Sequence, residues 1–343
     1  MNKRATIYDI SKLLGVSPTT VYKALNGKPK VSEETRESIL KTAEKLGYKA
    51  NIAAKCLARK PIKIGVIIHA SFPDFHNEII RGAKSACEEL IDFNVIGEYF
   101  TFSGPNCSRK IIDKMEEMAC SGFDGIIVSP GVDVRGYAEK ISELSHKNVV
   151  AATVITDIPE SNRVFCVRYD GKLGGRIAAQ LLSWLVSTRE VAIFTGNSQV
   201  LIHRCTVQGF MDEASVRGLE VAGVYENQDD MDIAYYATEK LIRDFPDIGG
   251  IYVNSANSVA VCKKVMEKGL EKRIKIITSD IFPELSEYIR KGVVHASIFQ
   301  DPFRQGRLVF KRLYEYISGD RECKEDIIIT PQIVLESNLE SFK

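Results

Sequence analysis

At 343 residues the chain is too long for one small core and long enough for two or three folded units. Its 45% hydrophobic and 27% charged content is that of a globular protein, and no run reaches the roughly 18 apolar residues of a membrane span. The net charge of +1 hides an asymmetry: residues 1–60 hold thirteen Lys/Arg against five Asp/Glu (net +8), and the remainder 33 against 40 (net −7). The start, MNKRATIYDISK, has no apolar stretch behind its basic residues, so no secretory signal is expected and a cytoplasmic location is. Eight cysteines (56, 87, 107, 120, 166, 205, 262, 323) form no C-x-x-C pair and have no histidine at zinc spacing; buried reduced thiols are expected, with no metal.

The basic block opens with Ile7, Ile10, Leu13 and Leu14 at three- and four-residue spacing, which predicts a short helix over 6–14 capped by Thr6 and ended by Gly15. Ser17 caps a second helix with Pro18 at its first position, where a missing N–H costs nothing. Its inner face is Val21, Ala24 and Leu25. A third helix over about 32–46, capped by Ser32, is expected to turn Ile39, Leu40, Ala43 and Leu46 inward. Helix, tight turn, helix and supporting helix is the helix-turn-helix arrangement, whose second helix lies in the major groove of DNA. Pro18 and Thr19 would then lie nearest the bases, with Tyr22 and Lys23 one turn on. Thr6, Ser17, Thr20, Asn26 and Ser32 are short donors suited to phosphate oxygens, and Lys28 and Lys30 add charge. A basic block with a periodic core is not a solvated tail; its expected partner is double-stranded DNA.

From residue 62 short apolar runs alternate with helical segments: IKIGVII, NVIGEYF, GIIVSP and NVVAATV, then, after a crossover expected at 156–168, EVAIFTG, GLEVAGVY, GGIYVN, RIKIITSD and HASIFQ. Continuous apolar strands between helices predict parallel sheets covered on both faces, and their number predicts two similar α/β lobes. A ligand would sit at the carboxyl ends of the strands, between the lobes. Enzymatic motifs are missing: no G-x-G-x-x-G after a strand, no P-loop, no G-x-S-x-G and no H-E-x-x-H. His69, His76 and His203 fall on expected cleft loops, where ligand contact or plain exposure explains them as well as catalysis does. No catalytic residue, cofactor or metal is therefore assigned.

The segment TIYDISKLLGVSPTTVYKALNGKPKVSEETRESILKTAEKLGYKAN resembles the DNA-binding headpiece of the lactose-repressor/galactose-repressor (LacI/GalR) family of bacterial transcription regulators, through T-x-x-D-I, G-V-S, T-V, L-N, V-S-x-x-T-R and L-G-Y followed by Asn51. Ser11 and Leu14 stand where the family usually has alanine, Tyr22 where it has serine, and Ala50 where proline precedes Asn51. The resemblance implies that NIAAKCLARK is a hinge helix ordered on DNA, with Ala54 and Lys55 leading to Leu57 as the minor-groove wedge. The expected domains are a headpiece at 1–49, a hinge helix or linker at 50–61, and an effector and dimerisation domain at 62–343. Within the last, lobe one is expected at about 62–158 and 292–322 and lobe two at about 159–291 and 323–343.

The larger block resembles the family's effector-binding core, built like the periplasmic sugar-binding proteins. The resemblance puts Phe72 and Phe75 in position to stack on a ring, with Asp74 or His76 nearby, and Asn254, Asp280 and Gln300 at ligand-binding positions just past apolar strands. The family's arginine before Gly209–Phe210 is here Thr206, with Arg204 two residues earlier, and its aspartate after NVVAATV is Ile155, followed by Thr156 and Asp157. The implied protein is a homodimer reading a near-palindromic operator, one headpiece per half-site, under control of a sugar-like effector in the cleft. A regulator governed by a protein partner and a solute-binding protein are the alternatives.

Overall fold

The computed structural model describes residues 5–25, 28–46, 48, 60–104, 106–319 and 324–342. The chain divides into two compact units, Met1–Arg59 and Lys60–Lys343.

The first unit holds α1 (Ile7–Leu14), α2 (Pro18–Leu25) and α3 (Glu33–Lys45). Ile10, Val21, Ala24, Ile39 and Ala43 form its buried centre. Leu13 and Leu40, expected inside, are 64% and 46% exposed. Each directly precedes or follows a residue already committed to the core stripe, and a step of one residue turns about 100° around a helix axis. Gly15 ends α1 at φ 65°, and the Ser11 hydroxyl donates to the Val16 carbonyl at 2.6 Å, so the serine that replaces the family's alanine closes the turn. Arg36 on α3 donates to the carbonyls of Ala24 (3.1 Å) and Lys28 (2.9 Å), satisfying orphan acceptors at and beyond the end of α2.

The second unit begins with β1 (Ile62–His69), α4 (Pro73–Glu89), β2 (Val95–Phe102), α5 (Cys107–Cys120), β3 (Gly125–Ser129), α6 (Val134–His146), β4 (Val150–Val154) and β5 (Cys166–Tyr169). It continues with α7 (Gly171–Leu185), β6 (Glu190–Thr195), α8 (Leu201–Arg217), β7 (Glu220–Glu226), α9 (Met231–Asp244), β8 (Gly250–Val253), α10 (Ser258–Glu267), β9 (Lys275–Ser279), α11 (Pro283–Arg290) and β10 (Val294–Phe299). Then come α12 (Pro302–Ser318), β11 (Ile327–Ile329) and β12 (Gln332–Val334). Two sheets result, ordered β11-β5-β4-β3-β1-β2 and β12-β10-β9-β8-β6-β7. All pairings are parallel except β10 with β12. Every residue of the central strands β3 and β8 is buried, which is why these segments read as unbroken apolar runs rather than alternating ones.

The sheets redraw the lobes. The crossover expected at 156–168 lies inside lobe one, because Cys166–Tyr169 pairs with β4 in the register Thr153↔Cys166. Asp157 holds that loop: it accepts from the Thr153 hydroxyl at 2.9 Å and from Arg163 at 2.7 and 2.6 Å, and Arg163 reaches Asp326 at 2.8 Å. β10, expected in lobe one, pairs with β9 in the second sheet, and β11, expected in lobe two, pairs with β5 in the first. The chain therefore passes between lobes near Asp170, Asp301 and Thr330–Pro331. The first and third passages are tied by the Asp170 N–H donating to the Ile329 carbonyl at 2.9 Å.

Each lobe carries one helix pair packed backbone to backbone. A Cβ on Gly82 of α4 would lie 1.9 Å from the Phe303 carbonyl oxygen of α12, and one on Gly306 would lie 1.9 Å from that of Ile79. In lobe two, Gly175 of α7 meets the Thr206 carbonyl and Gly209 of α8 meets that of Lys172, both at 2.0 Å from the Cβ position. Backbone cannot yield as a flexible side chain does, so Gly306→Ala should cost about 1–3 kcal/mol or more. Thermal melting of this variant checks it; an unchanged midpoint would mean the helices can part freely.

Candidate functional site

In the first unit the second helix is positioned by its caps. Ser17 Oγ accepts from the Thr20 N–H at 3.0 Å, and the two hydroxyls lie 2.8 Å apart. Val21 and Ala24 anchor α2 in the core, leaving Ser17, Pro18, Thr19 and Tyr22 exposed around its beginning and outer face. Lys28 and Lys30 are exposed, and Thr20 and Lys23 are half-buried. Thr6 and Ser32 are exposed but occupied. The Thr6 hydroxyl donates to Asp9 at 2.7 Å and accepts from its N–H at 3.3 Å, while Ser32 Oγ accepts from the Thr35 N–H at 3.3 Å. Asn26, Asn51, Ala54, Lys55 and Leu57 lie outside the described residues.

In the second unit a cleft of about 440 Å³ opens where ten parallel strands end. His69 follows from β1, Ser103 from β2, Ser129 from β3, Ile155 and Thr156 from β4, and Tyr169 from β5. From lobe two come Asn197 after β6, Asp229 after β7, Asn254 after β8, Asp280 after β9 and Gln300 after β10. The lobes touch beside it: Phe72 meets Phe282 edge to face at 4.8 Å, the Ile202 N–H donates to Thr156 Oγ1 at 3.3 Å, and the Tyr169 and Thr206 hydroxyls lie 2.8 Å apart.

Five residues expected at the ligand line this cleft: Phe72, Phe75, Asn254, Asp280 and Gln300. Two do not. Asp74 is exposed in the first turn of α4, where a carboxylate favours the helix N-terminus. Arg204 points to solvent and donates to the carbonyls of Ser198 (3.3 Å) and Gln199 (3.1 Å), because on α8 it is His203, one residue back, that faces the cleft. Thr206, in the place of the family's arginine, is buried and joined to the Tyr169 hydroxyl at 2.8 Å. His69 and His76 also line the cleft. Sequence reasoning missed Asn197, Asp229 and Tyr169: Asn197 and Asp229 stand two and three residues past their strands rather than directly after them, and Tyr169 is the last residue of its strand.

Asn254 is only 5% exposed, and neither its Oδ1 nor its Nδ2 has a hydrogen-bond partner. Leaving such groups unmade costs about 1–3 kcal/mol each, so the site has a standing demand for a donor and an acceptor. Asp280, at φ 62°, accepts from the Gln300 N–H at 3.1 Å and from Gln300 Nε2 at 2.5 Å. Burial nonetheless raises its carboxyl to about 7, the two Gln300 bonds opposing the shift. Burial lowers His69 and His203 while the charge of Asp229 opposes it, and burial takes His76 down to about 4. Ile155 holds φ 74°, a costly conformation for a β-branched residue, of the kind that gathers where ligands bind.

Among the described residues no group of histidine, cysteine and carboxylate side chains is arranged to hold a metal, and no helix is long and apolar enough to cross a membrane. Six described cysteines are free; Cys107, Cys166 and Cys262 are buried as expected, but Cys120 is exposed.

A helix-turn-helix unit with an exposed polar helix, on one chain with a two-lobed cleft, defines a DNA-binding regulator with a small-molecule site. Residues 6–51 match the bacterial regulatory proteins of the lacI family, and residues 64–321 match the periplasmic binding protein domain. The chain belongs to the lacI family of DNA-binding transcriptional regulators. It is similar to Catabolite control protein A of Priestia megaterium, 27% identical over 92% of this chain and 93% of that one. The HTH-type transcriptional repressor PurR of Vibrio vulnificus is 26% identical over 98% and 99% of the two chains, and the Ribose operon repressor of Haemophilus influenzae 23% over 99% and 100%. Among solved structures, GanP, a glucose-galactose binding protein from Geobacillus stearothermophilus, shares the fold at a TM-score of 0.74 and 24% identity, over 82% of this chain and 99% of that one.

A carboxyl raised by burial contributes stability that is complete below its unfolded pKa near 4 and is lost as pH rises through about 7. Asp280→Asn removes that titration, and asparagine tolerates the left-handed backbone. The variant should therefore gain on the parent in melting temperature between about pH 5 and pH 8, by a few degrees. A difference that stays flat across this range would show that Asp280 is ionised throughout.

Proposed function

We propose that the protein is an operator-binding transcriptional repressor, acting in the cytoplasm as a homodimer without enzymatic activity, whose DNA affinity is set by a sugar-like metabolite in the cleft. The observation that carries this reading is Asn254, a buried amide with both of its polar atoms unpaired at the end of β8, in a chain whose other unit exposes a polar helix. A polyol supplies alternating donors and acceptors that such an amide can bind in a bidentate manner, and Phe72 and Phe75 offer apolar surface for a ring.

DNA binding follows from the residues around α2. The exposed start of the helix brings the side chains of Ser17, Pro18 and Thr19 to the duplex, with Tyr22 one turn on. Lys23, Lys28 and Lys30 neutralise phosphates, and Thr20 steadies the helix rather than reading bases. Asn51, Ala54, Lys55 and Leu57 are assigned to the minor groove by resemblance. Ligand that binds one lobe angle better than another shifts operator affinity by the ratio of its two affinities, typically about 1–3 kcal/mol.

The test is an operator search by selection from random duplexes, then footprinting. Thr19→Ala and Tyr22→Ala should weaken the selected site about tenfold or more, with Thr19→Ala leaving melting within about 0.5 kcal/mol because its side chain is exposed. Failure to select any sequence would end the reading. For the selected site, affinity should fall about a thousandfold between roughly 50 and 200 mM salt if six or more phosphates are neutralised across the dimer; a flat salt response would exclude the lysines from the interface.

A further inference from the structure

Every charged side chain that lines the cleft is a carboxylate. Among the described residues lining it there are Asp229 and Asp280, three histidines, and no lysine or arginine. Arg204 is turned away, and the position from which the family's arginine would reach inward is Thr206, which is spent on Tyr169 and on the Ile202 carbonyl. Among the described residues neither carboxylate is paired with a lysine or arginine: Asp280 is held by the neutral amide groups of Gln300, and Asp229 acts on His69 and His203.

Beside them stand Asn254, 95% buried with both amide atoms open, and the rings of Phe72, Phe75 and Tyr169. Carboxylates without a counter-cation, beside aromatic faces and an unpaired amide oxygen, are the complement of an ammonium group on a hydroxylated ring. An anionic ligand would bring a second like charge into a desolvated space with nothing to neutralise it.

Resting on the effector reading above, we propose that the ligand is a cationic, amine-bearing polyol such as an amino sugar, and that phosphorylated and carboxylated sugars are excluded. The ammonium pairs with Asp280 or Asp229, the unpaired Asn254 amide takes ring hydroxyls, and the rings of Phe72 and Phe75 cover an apolar face. Burial disfavours the charged form of all three histidines, which weakens their claim on the carboxylates. The raised carboxyl of Asp280 fits the same picture: an incoming cation restores the ionisation that burial disfavours.

The experiment is calorimetry on the full chain near neutral pH with D-glucosamine, D-galactosamine, D-mannosamine and 6-amino-6-deoxyglucose. Their parent hexoses and the hexose 6-phosphates run beside them. The expected result is that at least one amine binds tenfold or more tighter than its parent, that no phosphate binds, and that Asp280→Asn with Asp229→Asn brings the ratio to near one while melting shows the variant folded. A neutral hexose that binds as tightly as its amine, or a phosphate that outbinds it, overturns the proposal and leaves the effector reading standing. Silence from the amines beside a binding neutral sugar has the same meaning, and silence from all three classes counts against both. If the double variant keeps the amine preference, the carboxylates do not select the ligand.

Discussion

A parallel strand can be buried on both faces only if the polar ends of its backbone are dealt with at its tips, and here ten such tips open onto one space. Strands β1 to β10 run so that their carboxyl ends meet between the lobes. Each strand delivers one or two residues there with little freedom to point elsewhere, because the strand behind them is clamped by core on either side. Hence side chains from positions more than two hundred residues apart, such as His69 and Gln300, line the same cleft. The polar atoms of Asn254 and the carboxyl of Asp280 sit in surroundings that disfavour them. Asn254 is held by its strand rather than by partners of its own, and Asp280 by Gln300 of the neighbouring strand end, which is what a pre-formed binding site requires.

The headpiece and the α/β alternation were legible because their signals are local. Caps such as Thr6, Ser17 and Ser32 announce helix starts within three residues, and unbroken runs such as GIIVS announce strands buried on both faces. Asn254, Asp280 and Gln300 could be found for the same reason, since each directly follows such a run. The side on which a passage crosses between lobes is not local. Nothing in HASIFQ says which sheet it joins; the choice is made by pairing with Lys275–Ser279 and with Gln332–Val334. In the same way 156–168 reads as a connection between lobes, and it is the pairing of Cys166–Tyr169 with β4, together with the Asp157–Arg163–Asp326 cluster, that keeps it in lobe one. Arg204 failed by helical phase, an error of about 100° per residue that the loop leading into α8 leaves undetermined.

The charge pattern separates two demands that the net charge of +1 blends together. The first sixty residues accumulate cations where phosphates must be met. The cleft of the larger unit does the reverse and sheds the arginine that its relatives by resemblance would carry, putting Thr206 to structural use against Tyr169. Losing a cation from a buried wall changes which ligands are tolerable more sharply than losing a hydrogen bond does, because a desolvated charge without a counter-ion is far costlier than an unmet amide. The lining therefore carries chemical information that the fold, shared with proteins at 24% identity and below, does not.

The bond from the Asp170 N–H to the Ile329 carbonyl joins two of the three strands of chain that bridge the lobes. Linked this way, those two strands twist together as one pivot, and the stretch at Asp301 serves as the other. A body hung from two pivots swings about the line through them and resists sliding. The backbone-to-backbone helix pairs inside each half prevent the halves from bending to absorb that swing. Were a molecule at the mouth to favour one angle of the lobes, this arrangement would give it a long rigid arm, so that a small adjustment around one ring would be magnified at the far edges of the domain.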